Sequence, residues 1–188
     1  AGSTSSRRAA SMFAGLADGD QAAANLNFCL DRYIVPNTMY IESGSPCMET
    51  PLAAARSLQD MLIQSWGGTI RVFPAIPSTW PNVAIHNLRT EGAFLVSAVR
   101  HGGATKFVRI ESLAGEPFRV RTGLADPIRI VGQRDGMARP IAAGLVELSL
   151  YRGESVLLYS GDTPPELNVR PCEHETANRN PYGLKNAQ

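Results

Sequence analysis

The apolar residues of this chain change their period once, and the change falls near Gly67-Gly68. Before it they recur every three or four positions, as on an α-helix; after it they alternate, as on a half-buried strand. Ile70 and Val72 flank Arg71, and Phe94, Val96 and Ala98 alternate with Leu95 and Ser97. The alternation returns at Val108/Ile110, Phe118/Val120, Ile128/Ile130, Val146/Leu148/Leu150 and Val156/Leu158. Turn residues part these runs at Gly102-Gly103, Gly115-Glu116-Pro117, Ala125-Asp126-Pro127, Arg134-Asp135-Gly136 and Arg152-Gly153. Short strands at such spacing predict an antiparallel β-sandwich. The fold class is therefore α+β, with the helices first.

The helical part predicts three helices. Arg7 to Leu16 is rich in helix formers, and Asp18-Gly19-Asp20 interrupts it with turn chemistry. Gln21 to Ile34 resumes a helix whose Ala23, Ala24, Phe28, Leu30 and Ile34 share an apolar face, until Pro36 forbids continuation. This αα-hairpin has to pack on something, and the neighbouring sequence supplies too little to cover it. Partner helices outside the chain are the expectation. Thr50-Pro51 opens a third helix, since Thr can cap and Pro suits the first helical position. Along it Leu52, Ala55, Leu58, Met61, Leu62 and Ser65 fall at helical spacing and read as core, and Gly67-Gly68 stops it. The domains are thus expected at 1–66 (helical), 67–160 (sandwich) and 161–188, an irregular tail rich in Pro, Asn and charge that is extended or disordered.

Composition excludes several classes of function. Among 188 residues, 44% are hydrophobic, so a core is possible, while the net charge of +1 and the lack of any Lys/Arg run beyond Arg7-Arg8 argue against nucleic acid or a membrane surface as partner. No stretch approaches the roughly 20 apolar residues of a membrane span. The chain opens on Ala1 with no signal peptide, as expected of a processed or truncated product. Cys29, Cys47 and Cys172 are scattered and fit neither a disulfide framework nor a zinc site. Cys172-Glu173-His174-Glu175 has ligand-type residues but no second cluster, and reads as a solvated tail. His86 and His101 stand beside turns, no glycine-rich phosphate loop is present, and no G-x-S-x-G elbow exists. Neither a metal nor a cofactor is expected.

Chemistry concentrates where the two periods meet, between Tyr40 and Pro81. Glu49 precedes Thr50-Pro51, where a helix dipole keeps a carboxylate ionised, as a general base requires. The same placement also describes a Glu that only complements the helix end. Glu42, beside Tyr40 and Ser43, can accept from a sugar hydroxyl or simply be solvated. Paired carboxylates carry out glycoside hydrolysis, about 6.5–9.5 Å apart when the reaction inverts. Trp66 and Trp80 offer faces for a sugar ring, or partly buried packing.

Several segments together resemble a known family. Asp60-Met61-Leu62-Ile63-Gln64-Ser65 is followed by Gly68-Thr69-Ile70-Arg71-Val72-Phe73-Pro74-Ala75-Ile76-Pro77, then by Trp80-Pro81. The run is similar to the EMLLQS, GEIHLLPALP and AWP of glycoside hydrolase family 95, and Leu88 to Phe94 is similar to its GLRARGGF. P-A-x-P-x-x-W-P is the most specific part. The resemblance implies the last helices of a six-hairpin α/α barrel followed by a C-terminal β-domain. It also implies an inverting α-L-fucosidase or α-galactosidase, bacterial and secreted, acting on an oligosaccharide or glycoconjugate. In the family a Glu acts as acid, and an Asp in a QIDGNFG motif, assisted by two Asn residues, acts as base.

Counting back from Met61 without a gap places Glu49 on the base position, with Met48 on the Ile. Glu replaces Asp there, and Thr50-Pro51-Leu52 replaces Gly-Asn-Phe. Ile41-Glu42-Ser43-Gly44 echoes I-D-G only if a gap is opened. The resemblance thus makes Glu49 the general base, while the residues themselves offer Glu42, Tyr40 and Trp66 as substrate contacts. The acid and the assisting Asn residues are expected upstream of Ala1, so the isolated chain is expected to be inactive. Two readings compete: a non-catalytic sandwich that binds glycans or braces a neighbour, through Arg89, Trp80 and Arg119/Arg121, and a degenerate hydrolase.

Overall fold

The computed structural model describes residues 3–35, 39–132 and 134–170. Pro36, the Cys172 to Glu175 cluster and the end of the tail lie outside the described residues. The described chain divides into two compact units: one runs to Met61 and includes Ala75–Pro77, and the other comprises Leu62–Pro74 and the chain from Ser78 to Arg170.

The first unit is helical. α1 (Ser3–Gly15) and α2 (Gly19–Tyr33) form the expected hairpin, and α3 (Glu49–Leu62) follows. Asp18 starts α2 as well as ending the turn, its Oδ1 accepting the Gln21 N–H at 3.0 Å. The buried face differs from the expected one. Ala10 and Ala14 on α1 and Ala22, Ala23, Leu26 and Cys29 on α2 are buried, whereas Ala24, Phe28 and Leu30 are exposed. Two helices approach most closely along small side chains, so the alanine stripe of α1 selects the alanine face of α2 and leaves the bulky residues outside. Gly19 takes this further. A Cβ there would stand 2.5 Å from the carbonyl carbon of Ile76 and 2.6 Å from the oxygens of Ala75 and Ile76. The P-A-x-P backbone lies directly on the first turn of α2.

Between α2 and α3, β1 (Ile41–Glu42) and β2 (Ser45–Pro46) form a small hairpin. Ser43 and Gly44 turn it with φ of 53° and 81°, the pair of positive values a two-residue type I′ loop needs. α3 begins one residue before Thr50-Pro51. Its stripe of Leu52, Ala55, Leu58 and Met61 is not a core face: Met61 is fully buried, but Leu52 is 68% and Leu58 37% exposed, and Ala55 is exposed too. Among the described residues nothing covers that side, which borders the groove described below.

α3 also ends earlier than its pattern suggests. Ile63 starts β3 (Ile63–Trp66) with no linker, and Ser65 lies on that strand. Gly67 and Gly68, at φ 63° and 67°, are the turn into β4 (Thr69–Val72) rather than a helix stop. The other strands are β5 (Val83–Thr90), β6 (Phe94–His101), β7 (Ala104–Ser112), β8 (Pro117–Arg121), β9 (Ile128–Gly132), β10 (Ala138–Ala142), β11 (Leu145–Ser149) and β12 (Ser155–Ser160). They form two five-stranded sheets, ordered β10-β11-β8-β4-β3 and β5-β6-β7-β12-β9.

The sandwich is not wholly antiparallel, because β4 and β8 pair in parallel. The chain leaves the first sheet after β4, builds β5 to β7 in the second, and returns along β4 in the same direction. Parallel neighbours require such a long crossover. Ile70, Val72, Val120, Val146 and Leu148 of the first sheet and Phe94, Val96, Val108, Ile110, Val156 and Leu158 of the second are buried. The Phe94 and Phe118 rings, 5.1 Å apart, join the two layers. Each such side chain contributes about 1.5–3 kcal/mol of burial. Beyond β12 the tail holds no regular element as far as Arg170, yet Val169 packs on Phe107, Leu157 and Tyr159 over the outer face of the second sheet.

Candidate functional site

The small β1–β2 hairpin folds Glu42 back beside the first turn of α3. The Thr50 hydroxyl, on a residue only 2% exposed, donates to Glu42 Oε2 at 3.0 Å. The Cys47 thiol donates to Glu49 Oε2 at 3.1 Å, and Cys47 Sγ lies 3.3 Å from Thr50 Oγ1. Proton accounting orders this string. Thr50 has one hydroxyl proton and gives it to Glu42; Cys47 has one thiol proton and gives it to Glu49. The sulfur–hydroxyl approach is therefore a contact that holds both donors in place. The three links keep the two carboxylates close together beside the first turn of α3.

Glu49 is exposed, and its carboxyl sits below the ordinary range. The Cys47 thiol is the largest cause, followed by the backbone N–H of Glu49; slight burial opposes them, and the Met48 N–H adds a smaller lowering. Donors at the helix start hold the carboxylate, as helix-end placement suggests, and the thiol is the largest single one. An ionised, solvent-reached carboxylate can accept a proton from water and cannot serve as an acid near neutrality.

Cys47 also lines an apolar groove of about 570 Å³ within the helical unit, with Leu26, Leu30, Tyr40, Met48 and Leu58 among its walls. Tyr40 is 6% exposed and packs against Tyr33, the ring centroids 5.4 Å apart and the planes tilted by 39°. It is a wall residue of the groove. Leu30 of α2 and Leu58 of α3, both exposed, thus meet along one groove.

Trp66 belongs to the other unit, on β3. It is 55% exposed, its Nε1 donates to Gln64 Oε1 at 3.2 Å, and the Arg71 guanidinium stands 3.7 Å from its ring centroid. Arg89 lies on β5 of one sheet, and Arg119 and Arg121 lie together on β8 of the other. Among the described residues no three His, Cys, Asp or Glu side chains gather as metal ligands do. Cys47 is the member of the string that sequence reasoning missed. Its signal was local: a Cys two residues before the first acidic residue of a helix.

Residues 64–155 match the family model described as glycoside hydrolase family 95, C-terminal domain. Trp66 falls inside the match; Tyr40, Glu42 and Glu49 precede it. No curated protein sequence matches the chain. Among solved structures, a GH127 β-L-arabinofuranosidase from Geobacillus stearothermophilus T6 is 12% identical, with a TM-score of 0.33 over 62% of this chain and 19% of that one. At that score the likeness supports no argument, and the chain spans only about a fifth of the other protein's length. The β-rich fold and the P-A-x-P-x-x-W-P segment agree with this match: residues 64–155 are similar to a glycoside hydrolase family 95 C-terminal domain.

Proposed function

We propose that the chain is the C-terminal part of an inverting glycoside hydrolase of the α-L-fucosidase or α-galactosidase type, and that Glu49 is its general base. The observation that supports this most is the state of Glu49: exposed, ionised by a thiol and backbone N–H groups, and placed at a helix start just ahead of the residues similar to a family 95 C-terminal domain. In this reading α1 to α3 are the closing helices of an α/α barrel, and their open apolar groove faces the rest of that barrel. Glu49 removes a proton from water as the water oxygen bonds to the anomeric carbon. The glycosidic C–O bond breaks, and the leaving oxygen takes its proton from a carboxylic acid on a segment outside these 188 residues. Glu42, held by Thr50, accepts from a sugar hydroxyl. Glu extends one methylene further than Asp, so the water sits correspondingly farther from the helix start.

The test uses the full-length enzyme. Glu49→Gln keeps the size and loses the base, so hydrolysis of α-fucosides and α-galactosides should fall by roughly 10²–10⁴. Activity within a few-fold of wild type sinks the assignment. The isolated chain, lacking a proton donor, should show no turnover.

A further inference from the structure

The outer face of the β10-β11-β8-β4-β3 sheet carries a charge pattern unlike the rest of the chain. Strand register places its residues in rows. One row runs Trp66, Thr69, Arg119, Glu147, Arg139, and the next holds Arg71 beside Arg121. Alternation puts Ile70, Val120 and Val146 on the buried side of the same strands, so these polar residues share the solvent side. Four arginines and one carboxylate therefore occupy a single face of a protein whose net charge is only +1.

Glu147 is spoken for twice, at 2.7 Å from Arg139 and 3.9 Å from Arg119. Arg71 donates to the carbonyls of Trp66 and Thr69, both at 3.0 Å, and lies over the Trp66 ring, so its plane is fixed. Arg71 and Arg121 contact no carboxylate among the described residues. Burial, and after it the charge of Arg121, make protonation of Arg71 harder than usual. Arg71 and Arg121 stand opposite each other on adjacent strands, whose axes run about 4.8 Å apart; their like charges repel each other, and an anion between them relieves that. Arginine's planar fork suits a carboxylate, and an exposed indole beside it suits the apolar face of a pyranose ring.

We propose that this face binds an acidic polysaccharide, specifically a chain of uronic acid residues, with one ring on Trp66 and successive carboxylates on Arg71 and Arg121, which face each other across β4 and β8. The spacing between β4 and β8 is close to the length of one sugar residue, so neighbouring carboxylates can meet Arg71 and Arg121. A neutral glycan would leave Arg71 and Arg121 uncompensated. This surface goes beyond the assignment of Glu49 and does not depend on it.

Titration calorimetry of the whole chain with a hexagalacturonate, its fully methyl-esterified counterpart and a DNA oligonucleotide of equal charge tests this. The free acid should bind, the ester at least about tenfold more weakly, and affinity should drop when salt rises from about 50 to 200 mM. Arg121→Gln and Trp66→Ala should each weaken binding about five- to tenfold, and Trp66→Phe less. Arg129→Gln, on the other sheet, should change nothing. No binding of the acid, equal binding of acid and ester, an unaffected Arg121→Gln variant, or tighter binding of the oligonucleotide overturns the proposal. Because Glu49→Gln leaves this surface untouched, its hydrolysis assay and this titration fail independently.

Discussion

Replacing glycine by alanine inside a helix ordinarily stabilises it, by up to about 1 kcal/mol, because glycine loses more backbone freedom on folding. Gly19→Ala should do the opposite. The added Cβ would meet three backbone atoms of Ala75 and Ile76 at 2.5–2.6 Å, closer than any Cβ contact survives. Backbone cannot swing aside as a side-chain tip can, and Pro74 and Pro77 bracket those residues with fixed φ. Overpacking of this kind costs about 1–3 kcal/mol. Set against the propensity gain, the net loss should be about 1–2 kcal/mol, or about 5–10 °C for a unit of some 60 residues. The two units report separately. The helices supply most of the 222 nm dichroism, while Trp66 and Trp80, the chain's two tryptophans, both belong to the β unit. The dichroic melt should shift down and the fluorescence melt should not. Gly15→Ala, with nothing within 4 Å of its Cβ, is the control and should hold or rise. A Gly19→Ala helical melt at or above wild type refutes the close approach.

Two other predictions concern protonation. Cys47→Ala removes the largest influence lowering the Glu49 carboxyl, so its titration, followed by carboxyl-carbon NMR, should move to higher pH; an unchanged midpoint refutes the thiol's role. Glu154 is held below the ordinary range by Arg134, 2.8 Å away, and by the Tyr151 N–H at 2.7 Å. A depressed folded pKa stabilises above the unfolded value and is lost as pH falls through the folded one. The Tm deficit of Glu154→Gln should therefore be full at neutral pH and shrink below about pH 4; a constant deficit would place its origin in packing alone.

Much of the sandwich is legible because its strands bury one face. The runs around Val96, Ile110, Val146 and Leu158 alternate in sequence and alternate in burial. Where alternation fails to reach the page, a physical reason exists. β10 is almost wholly exposed, so it has no apolar partner to alternate with. β5 shifts register between Ile85 and Leu88, with Asn87 at φ 51°, which breaks its period. β3 follows α3 directly, and Met61-Leu62-Ile63 suits either state until the pairing of Ile63 with Val72 decides it. The α2 face was misjudged by weighting side-chain size over closeness of approach. At the candidate site Glu49 is legible as a helix-start acid, whereas its thiol partner shows only in the spacing of Cys47 to that acid, a signal too short to carry a role without the fold.

The return of Ala75–Pro77 to the helical unit bears on how such a chain can be inherited or rebuilt. A domain joined to its neighbour at one point can be traded between genes by a single crossover. Here the thread passes from helical to β unit after Met61, back at Ala75 and out again at Ser78. Any single cut leaves one unit holding a piece of the other: a β portion taken from residue 64 carries off the three residues that seat Gly19. A chimaera at that junction keeps its partner only if the donor helix also begins with glycine.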